Sequence, residues 1–166
     1  MRWYPPSNGM TQKITNPSLD SVWDYPHPHT LEVEVQPGDI DGLLHTNNTV
    51  YIGWCEQVAW NHSASLGLDL ERYQALNRAM AITHCEYDYL RASREGDRLM
   101  AGTWIVEWDK RLSMRRRFQI IRLDDGATLL RGDVQFVCIA LDTGRPKRLP
   151  PEFISGYGPA IVDNSD

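Results

Sequence analysis

The sequence contains little cysteine: three residues in 166, with no two of them in a CxxC pair. Such a sparse, odd-numbered set argues against a disulfide framework and favours a reducing compartment, so we expect a cytoplasmic protein. Cys55, Cys85 and Cys138 each fall within an apolar run. We therefore expect three buried, unpaired thiols.

Long hydrophobic runs are also missing. No segment approaches the roughly 18 consecutive apolar residues that a membrane-spanning helix needs. Residues 1–28 lack the apolar core of a secretory signal and contain Pro5-Pro6, Asn8-Gly9 and Pro26–Pro28, which break regular structure. We predict an extended arm over residues 1–28 and no membrane partner.

Positive charge is not in excess, since 17 basic residues face 22 acidic ones and the net charge is −5. A broad nucleic-acid-binding surface is therefore not expected. Arg115–Arg117 and Lys147-Arg148 could contact the phosphates of a small ligand, or they could be ordinary surface residues. Because strand residues alternate between faces, Arg116 would share a face with Met114 and Phe118.

Hydrophobic periodicity changes from two residues to between three and four early in the chain. Leu31–Val35 alternates apolar and acidic residues, which is typical of a half-buried strand. From Thr49 to about Leu66 the apolar residues recur at helical spacing, and Gly67 provides a stop. The helix is unusually apolar, so we expect it to be wrapped by other elements.

Four strand-like stretches follow a polar segment that spans residues 69–79. They are Met80–Leu90, Arg98–Trp108, Leu112–Arg122 and Thr128–Leu141. The breaks between them are short enough for hairpin turns. These breaks are Glu95–Asp97, Asp109-Lys110 and Asp124–Gly126.

This order of elements predicts an α+β domain in which a long central helix is wrapped by a curved antiparallel sheet of five or so strands. We place the domain at residues 29–154. Residues 155–166 are rich in Gly, Pro and Ser and are predicted to form a C-terminal tail.

The densest polar segment, Asp39–Asn48, lies immediately before the predicted helix. The unpaired N–H groups and the positive dipole end at a helix start can hold an oxyanion. A nearby carboxylate could attack a carbonyl or activate water. Alternatively, Asp39 and Asn47 only shape a turn and cap the helix.

A set of residues in this region resembles the motif of the 4-hydroxybenzoyl-CoA thioesterase family of hot-dog proteins. These residues are Asp39, Asp41, His45, Asn47, Asn48, Tyr51, Trp54 and Glu56. Asn47–Trp54 is also similar to plant acyl-carrier-protein (acyl-ACP) thioesterases. Glu95–Asp97 and Phe136–Pro146 resemble later turns and the last strand of the family, so the resemblance covers about residues 29–153.

The resemblance implies roles for several residues. The second acid of the paired motif is the catalytic carboxylate, which corresponds to Asp41, and a backbone N–H near Asn48 polarises the thioester carbonyl. His45 either orients substrate or water, or anchors the loop. Active sites of the family lie at a dimer interface, so a homodimer or homotetramer is implied.

Further residues are candidates for substrate binding: Asn47, Tyr51, Glu56, Met80, Ile82 and His84. Glu56 could instead form a structural ion pair, and His84 could be a core histidine. His27 and His29 are too few for a metal site. Neither a metal nor a redox cofactor is implied, because CoA is part of the substrate and of the product.

Two positions depart from the family. Leu44 stands where the family commonly has Gly before the histidine, and Leu43 stands where the plant enzymes have Asn. A plant-type Asn/His catalytic pair is therefore not expected, which favours Asp41. Asp39 is more often structural in the family.

The resemblance predicts hydrolysis of an acyl-CoA, or an acyl-ACP, to free acid and thiol. Asp41 would be the nucleophile or general base, and the helix start would be the oxyanion hole. Two alternatives stay open: a non-catalytic module that binds acyl thioesters, and a hot-dog enoyl-CoA hydratase or dehydratase. Leu44 in place of Gly keeps the first open, and the run Asn47–Tyr51 argues against the second.

Overall fold

The computed structural model describes residues 19–162, which form five strands, three α-helices and three short 3-10 turns. The strands are β1 (His29–Glu34), β2 (Ala79–Tyr89), β3 (Arg98–Trp108), β4 (Ser113–Arg122) and β5 (Thr128–Ile139). The helices are α1 (Asn48–Ser65), α2 (Leu70–Leu76) and α3 (Pro151–Tyr157). None of the helices within residues 19–162 is long and apolar enough to cross a membrane.

The five strands form one antiparallel sheet in the order β1-β3-β4-β5-β2. The predicted hairpins after β3 and after β4 are confirmed. The hairpin predicted at Glu95–Asp97 is wrong, because β2 pairs with β5 while β3 pairs with β1 and β4. Residues 90–97 instead cross from one edge of the sheet towards the other. A local turn does form there, with Gly96 at φ 83°, but long-range pairing decides which strands it connects.

Helix α1 packs its apolar stripe against one face of this sheet. Tyr51, Trp54 and Val58 of α1 are buried in one cluster with residues of β1, β3, β4 and β5. Burial of each such side chain stabilises the fold by about 1.5–3 kcal/mol. The predicted α+β arrangement, a long helix wrapped by a curved five-stranded antiparallel sheet, is therefore confirmed.

The chain after residue 154 differs from the predicted tail. Helix α3 runs to Tyr157, and Ile161 pairs with Ile105 of β3. Phe153 and Tyr157 lie four residues apart, on the same helix face, and both are buried in a second core cluster with Tyr73 of α2. The burial of these two aromatic side chains stabilises a helix here in spite of the Gly and Pro residues in the segment. Residues 163–166 lie outside the described part of the chain.

Residues 19–28, the described part of the predicted arm, lie against the sheet face opposite α1. The Trp104 indole donates to the Pro26 carbonyl at 2.9 Å, and Asp24 forms an ion pair with Arg131 at 2.7 Å. The Trp23 ring covers Gly102, where an added Cβ would approach it to 2.7 Å. The rest of the arm, residues 1–18, lies outside the described residues.

The cysteine expectation holds at two of three positions. Cys55 and Cys138 are buried and unpaired, whereas Cys85 is exposed. Cys85 lies on β2, and β2 is an edge strand whose residues from Ile82 to Glu86 are all exposed. The apolar run around Cys85 therefore does not bury its thiol in a single chain.

Candidate functional site

The segment before α1 folds into a tight loop. Ile40 pairs with Thr46, and the Asp41 amide donates to the His45 carbonyl at 2.9 Å. Leu44 lies at the tip with φ 64°, a left-handed conformation that favours glycine. Leu44 is also the position at which the resemblance found in the sequence leads us to expect Gly. The side chains of Leu43 and Leu44 are 77% and 76% exposed, so the tip presents two leucines to solvent.

This loop fixes the carboxylate of Asp41 from one side. Its Oδ1 accepts from the Leu43 amide at 2.8 Å. Its other oxygen has no hydrogen-bond partner within the described chain. Asp41 and His45 are both half-buried, and the loop places them opposite each other. The loop can therefore hold a carboxylate that keeps one oxygen available for chemistry.

The start of α1 follows directly from the loop. The Asn47 side chain accepts from the Thr49 amide at 2.9 Å and from the Thr49 hydroxyl at 2.8 Å, so it is the N-cap of the helix. The backbone N–H of Asn47 donates to the Asp39 carbonyl. The Asn48 amide makes no hydrogen bond with any residue from 19 to 162. The structure thus engages the Asn47 side chain internally and leaves the Asn48 N–H for a ligand.

A buried hydroxyl network holds this loop against the segment between β2 and β3. The Tyr51 hydroxyl lies 2.7 Å from the Ser93 hydroxyl and accepts from the Ser93 amide at 2.9 Å. Thr46 contacts the same Ser93 hydroxyl at 2.7 Å and donates its amide to the Ser93 carbonyl. Tyr51 is therefore a buried anchor of the loop. Sequence reasoning missed Ser93, which no local pattern distinguishes from other loop serines.

A cavity of about 200 Å³ lies between α1 and the half of the sheet formed by β4, β5 and β2. Its wall includes Glu56, Met80 and Ile82 of the predicted substrate-binding residues. Ile52 and Glu56, both exposed, are the residues of its wall on α1 that lie nearest the start of that helix. Asp41, His45, Asn47, Asn48 and Tyr51 do not line this cavity in one chain.

His84 lies outside the cavity because β2 is irregular. The register of β2 against β5 shifts between Ile82 and His84, so the alternation of faces is interrupted there. His84 pairs with Gln135, and its ring lies exposed beside Glu86 at 3.4 Å. Tyr87, one residue out of step with Met80 and Ile82, lines the cavity instead.

The inner end of the cavity is formed by Ser63, Tyr73, Arg116 and Tyr157. Arg116 shares the cavity face of β4 with Met114 and Phe118, which confirms the predicted alternation. Neither role considered for this arginine, at CoA phosphates or at the solvated surface, fits its burial, because only 1% of it is exposed. Its neighbour Arg115 lies on the other face and forms ion pairs with Glu107 and Asp133.

Polar groups at the inner end are linked by hydrogen bonds. Arg116 Nη1 lies 2.9 Å from His62 Nδ1, and Nη2 donates to the Ser63 hydroxyl at 3.2 Å. The Tyr157 hydroxyl contacts the Ser63 hydroxyl at 2.9 Å and is hydrogen-bonded to the Tyr73 hydroxyl. Burial, with Arg116 and His29 nearby, lowers the pKa of His62 to about 3. The imidazole is therefore neutral and its Nδ1 accepts from Arg116.

The fold is shared with several solved thioesterase structures. A 1,4-dihydroxy-2-naphthoyl-CoA thioesterase from Synechocystis superposes with a TM-score of 0.70 at 21% identity, covering 78% of this chain and 95% of that one. A Staphylococcus aureus protein, solved in complex with CoA, has a TM-score of 0.75 at 19% identity, covering 82% and 85%. The 12:0-ACP thioesterase from Umbellularia californica has a TM-score of 0.73 at 19% identity, covering 82% and 55%. These similarities show the hot-dog fold.

Sequence comparison shows the family. No curated protein matches the chain significantly. The model of the thioesterase-like superfamily, however, matches residues 35–156, which include the loop, α1, nearly all of α3 and every residue of the cavity wall except Tyr157. The chain therefore belongs to the thioesterase-like superfamily, and thioester hydrolysis is the general activity that this membership supports.

Proposed function

We propose that the protein hydrolyses an acyl-CoA thioester, with the acyl group in the cavity along α1 and the thioester near the start of that helix. The main support is that the same helix, α1, lines the cavity and presents the unpaired amide at its start. The cavity wall begins at Ile52, four residues after Asn48, whose amide is unpaired. Four residues are about one helical turn, or roughly 6 Å of rise.

The helix start supplies the electrophilic part of the site. The Asn48 amide is the first N–H of α1, and the aligned peptide dipoles make this end positive. A thioester oxygen that gains negative charge in the transition state would be stabilised there. The Asn47 cap keeps this end of the helix in place, because its side chain occupies the Thr49 amide.

Asp41 supplies the carboxylate. Its Oδ1 is held by the Leu43 amide, so the second oxygen can take a proton from water or attack the carbonyl carbon. In the first route, water adds to the carbonyl, the C–S bond breaks and CoA leaves as the thiol. In the second, a mixed anhydride forms with loss of the thiolate, and water then cleaves it. Both routes give a free acid, and CoA is a product.

A second copy of the chain completes the site in this proposal. Asp41 does not line the cavity of its own chain. Edge strand β2 exposes Ile82 and Tyr89, and the loop tip exposes Leu43 and Leu44. Unpaired edges and apolar surface of this kind favour association. We therefore propose a homodimer or homotetramer in which each active site uses the Asp41 loop, the helix start and the cavity of one chain, and a neighbouring copy closes the gap between that loop and that cavity. Light scattering at micromolar concentration tests this step, and a monomer would contradict it.

CoA is the proposed carrier, and acyl-ACP is the alternative. The similar Staphylococcus aureus protein was solved with CoA, and the similar plant enzyme is an ACP thioesterase. Parallel assays with acyl-CoA and acyl-ACP of one chain length distinguish the two carriers.

One assay tests the proposed activity. Purified protein is incubated with short, long, branched and aromatic acyl-CoAs, and thiol release is followed. Asp41→Asn keeps an acceptor for the Leu43 amide but removes the charge, so it should lower turnover by roughly 10²–10⁴-fold. The matched control is Asp39→Asn, since the Asp39 carboxylate is occupied by the Gln36 amide at 2.8 Å. That variant should retain most of the activity.

The other outcomes are informative. Turnover that survives Asp41→Asn would assign the chemistry to Glu56 or His45 and overturn the role of Asp41. Binding of acyl-CoA without thiol release would favour the non-catalytic module. Hydration of an enoyl-CoA would favour the hydratase. The strained left-handed conformation of Leu44 is the observation that keeps the binding module as the second candidate.

A further inference from the structure

Arg116 is a buried cation for which the described chain provides no counter-ion. The ion pairs within residues 19–162 include Arg115, Arg117 and Arg122, each with a carboxylate, but none includes Arg116. Arginine keeps its proton under all ordinary conditions. A buried charge without an opposite charge is costly, because desolvation is not offset by attraction.

The groups around Arg116 are neutral. Its guanidinium contacts His62 Nδ1 at 2.9 Å, the Ser63 hydroxyl at 3.2 Å and the Thr103 hydroxyl at 3.5 Å, and it lies 6.0 Å from the centre of the Tyr157 ring. These acceptors engage N–H groups but do not neutralise the charge. Burial also raises the pKa of Tyr73, so the neighbouring phenol remains protonated rather than becoming an anion.

The side of Arg116 that is not closed by protein faces the cavity. Arg116, Ser63, Tyr73 and Tyr157 form its inner end, and Glu56 lies towards the other end on the same face of α1. Glu56 and Ser63 are seven residues apart in α1, which corresponds to about 10 Å of helix. Asn48 and Ser63 are fifteen residues apart, or about 22 Å, so an acyl chain of about sixteen carbons whose carbonyl lies at the Asn48 amide would pass Glu56 and place its far end at Arg116.

We infer that the acyl group carries a carboxylate at its far end, so that the substrate is the CoA thioester of a long-chain dicarboxylic acid. The far carboxylate pairs with the guanidinium of Arg116 and accepts from the hydroxyls of Ser63 and Tyr157. The inference rests on the proposed function for its thioester half. A carboxylate matches the planar, forked donors of arginine better than any neutral group does.

The middle of the cavity agrees with this substrate. Ala59, Met114, Phe118, Val134 and Phe136 line it between the two ends. Methylene groups pack there without polar partners. A simple fatty acyl chain would fit the same wall, but its methyl end would meet a desolvated charge. The chemistry at Arg116 therefore separates a dicarboxylic acyl group from a fatty one.

Selectivity is tested with three thioesters of one length: hexadecanedioyl-CoA, 16-hydroxyhexadecanoyl-CoA and hexadecanoyl-CoA. For the wild-type protein, kcat/KM for hexadecanedioyl-CoA should exceed that for hexadecanoyl-CoA by roughly 10- to 100-fold, the scale of a charged hydrogen bond. Arg116→Met should remove most of this preference while hexadecanoyl-CoA is still hydrolysed. Arg115→Met, on the opposite face of β4, is the matched control and should keep the preference.

Binding is tested separately from turnover. Free suberate should raise the thermal unfolding midpoint of the wild-type protein, and octanol at the same concentration should not. Neither ligand contains a thioester, so this result stands even if no acyl-CoA is hydrolysed, which would overturn the proposed function alone. Tyr157→Phe, which keeps Arg116, should weaken the suberate effect and serves if Arg116→Met does not fold.

Two results would overturn the inference. One is equal or better hydrolysis of hexadecanoyl-CoA than of hexadecanedioyl-CoA by the wild-type protein, together with no stabilisation by suberate. The other is a hydroxyl end that is preferred as strongly as the carboxylate, because Arg116 would then recognise a neutral acceptor.

Discussion

The two ends of α1 differ in how their polar groups are held. At the loop end, residues 39–48, the Asp41 carboxylate and the helix start are fixed by bonds between residues that are neighbours in the sequence. At the cavity end, Ser63, Tyr73, Arg116 and Tyr157 come from α1, α2, β4 and α3. Both ends serve one proposed substrate, but only at the second do the functional groups themselves come from distant parts of the chain.

This difference separates chemistry from selectivity. The loop end presents a carboxylate and an amide that would act on any thioester. The cavity end presents a buried charge and hydroxyls that would contact only the far end of the acyl group. Substitutions at the loop end should therefore change all substrates alike, and substitutions at the cavity end should change them according to the acyl group.

The largest expected effect tests this division directly. Asp41→Asn should reduce kcat by roughly 10²–10⁴-fold, and by a similar factor for every acyl-CoA that the protein hydrolyses, because the carboxylate acts on the thioester itself. Glu56→Gln at the cavity entrance should have a much smaller effect on kcat. Steady-state assays of both variants with the same panel measure the contrast, and an acyl-dependent loss in Asp41→Asn would break it.

Acid should weaken the cavity end first. The His62 imidazole is buried and neutral in the folded protein, with a pKa near 3 instead of the ordinary 6.5. The unfolded chain therefore binds more protons between these values, and the free energy of unfolding falls as the pH drops from 6.5 towards 3. The expected loss by pH 4 is roughly 2–3 kcal/mol. Chemical denaturation at several pH values measures it.

His62→Asn keeps a side-chain acceptor for Arg116 and removes the titrating group. Its free energy of unfolding should vary less over the same pH interval. If the variant and the wild-type protein show the same slope, the acid sensitivity arises elsewhere in the chain.

Loss of the Tyr51 hydroxyl should loosen the loop end. Tyr51→Phe leaves the buried Ser93 amide without its acceptor, which should lower the free energy of unfolding by about 1–2 kcal/mol. Turnover should fall for all substrates alike. Tyr89→Phe is the control, because the Tyr89 hydroxyl donates from an exposed position to the Asn48 carbonyl at 3.2 Å. An equal decrease in the free energy of unfolding of both variants would mean that the Ser93 network does not stabilise the loop more than an exposed hydrogen bond does.

The helix cap should contribute about 1 kcal/mol. Asn47→Ala removes the acceptor of the Thr49 amide, whereas Asn47→Asp retains it. Urea unfolding should show a lower midpoint for the alanine variant and a nearly unchanged one for the aspartate variant. A midpoint that falls equally in both would mean that the amide half of Asn47 matters more than its oxygen.

The smallest effect is expected far from both ends. Asp24→Asn weakens the ion pair with Arg131 on the opposite sheet face, which should change stability by about 0.2–1 kcal/mol. Neither kcat nor acyl selectivity should change. This variant sets the baseline against which the effects at the two ends are judged, and a changed selectivity would extend the site to the arm.

Much of the fold could be predicted because its signals are local. The structure has β3 at Arg98–Trp108, as predicted, and α1 starts and ends within one residue of the prediction. His84 shows where local signals fail, since the bulge after Ile82 moves it off the predicted face. The bulge has no sequence mark of its own, because it depends on the register of β2 against β5.

The candidate site divides in the same way. Asp41 and the helix start could be found from sequence, since their geometry comes from turn and cap chemistry within ten residues. The proposed roles of Asp41, His45 and Asn48 remain predictions that the assays above would test. Arg116 could not be identified as a cavity residue from the sequence, because a run of three arginines is equally compatible with a solvated surface.

By itself, the sequence determined the helix, the strand segments and the polar loop, because hydrophobic period, caps and turns act between near neighbours. Only the tertiary structure decided that β2 lies at the sheet edge opposite β1 and that α3 packs in the second core cluster. It alone also decided that Arg116 lies buried beside Ser63 and Tyr157. Those results depend on which distant surfaces exclude water together, and contacts of that kind leave no periodic trace in the order of residues.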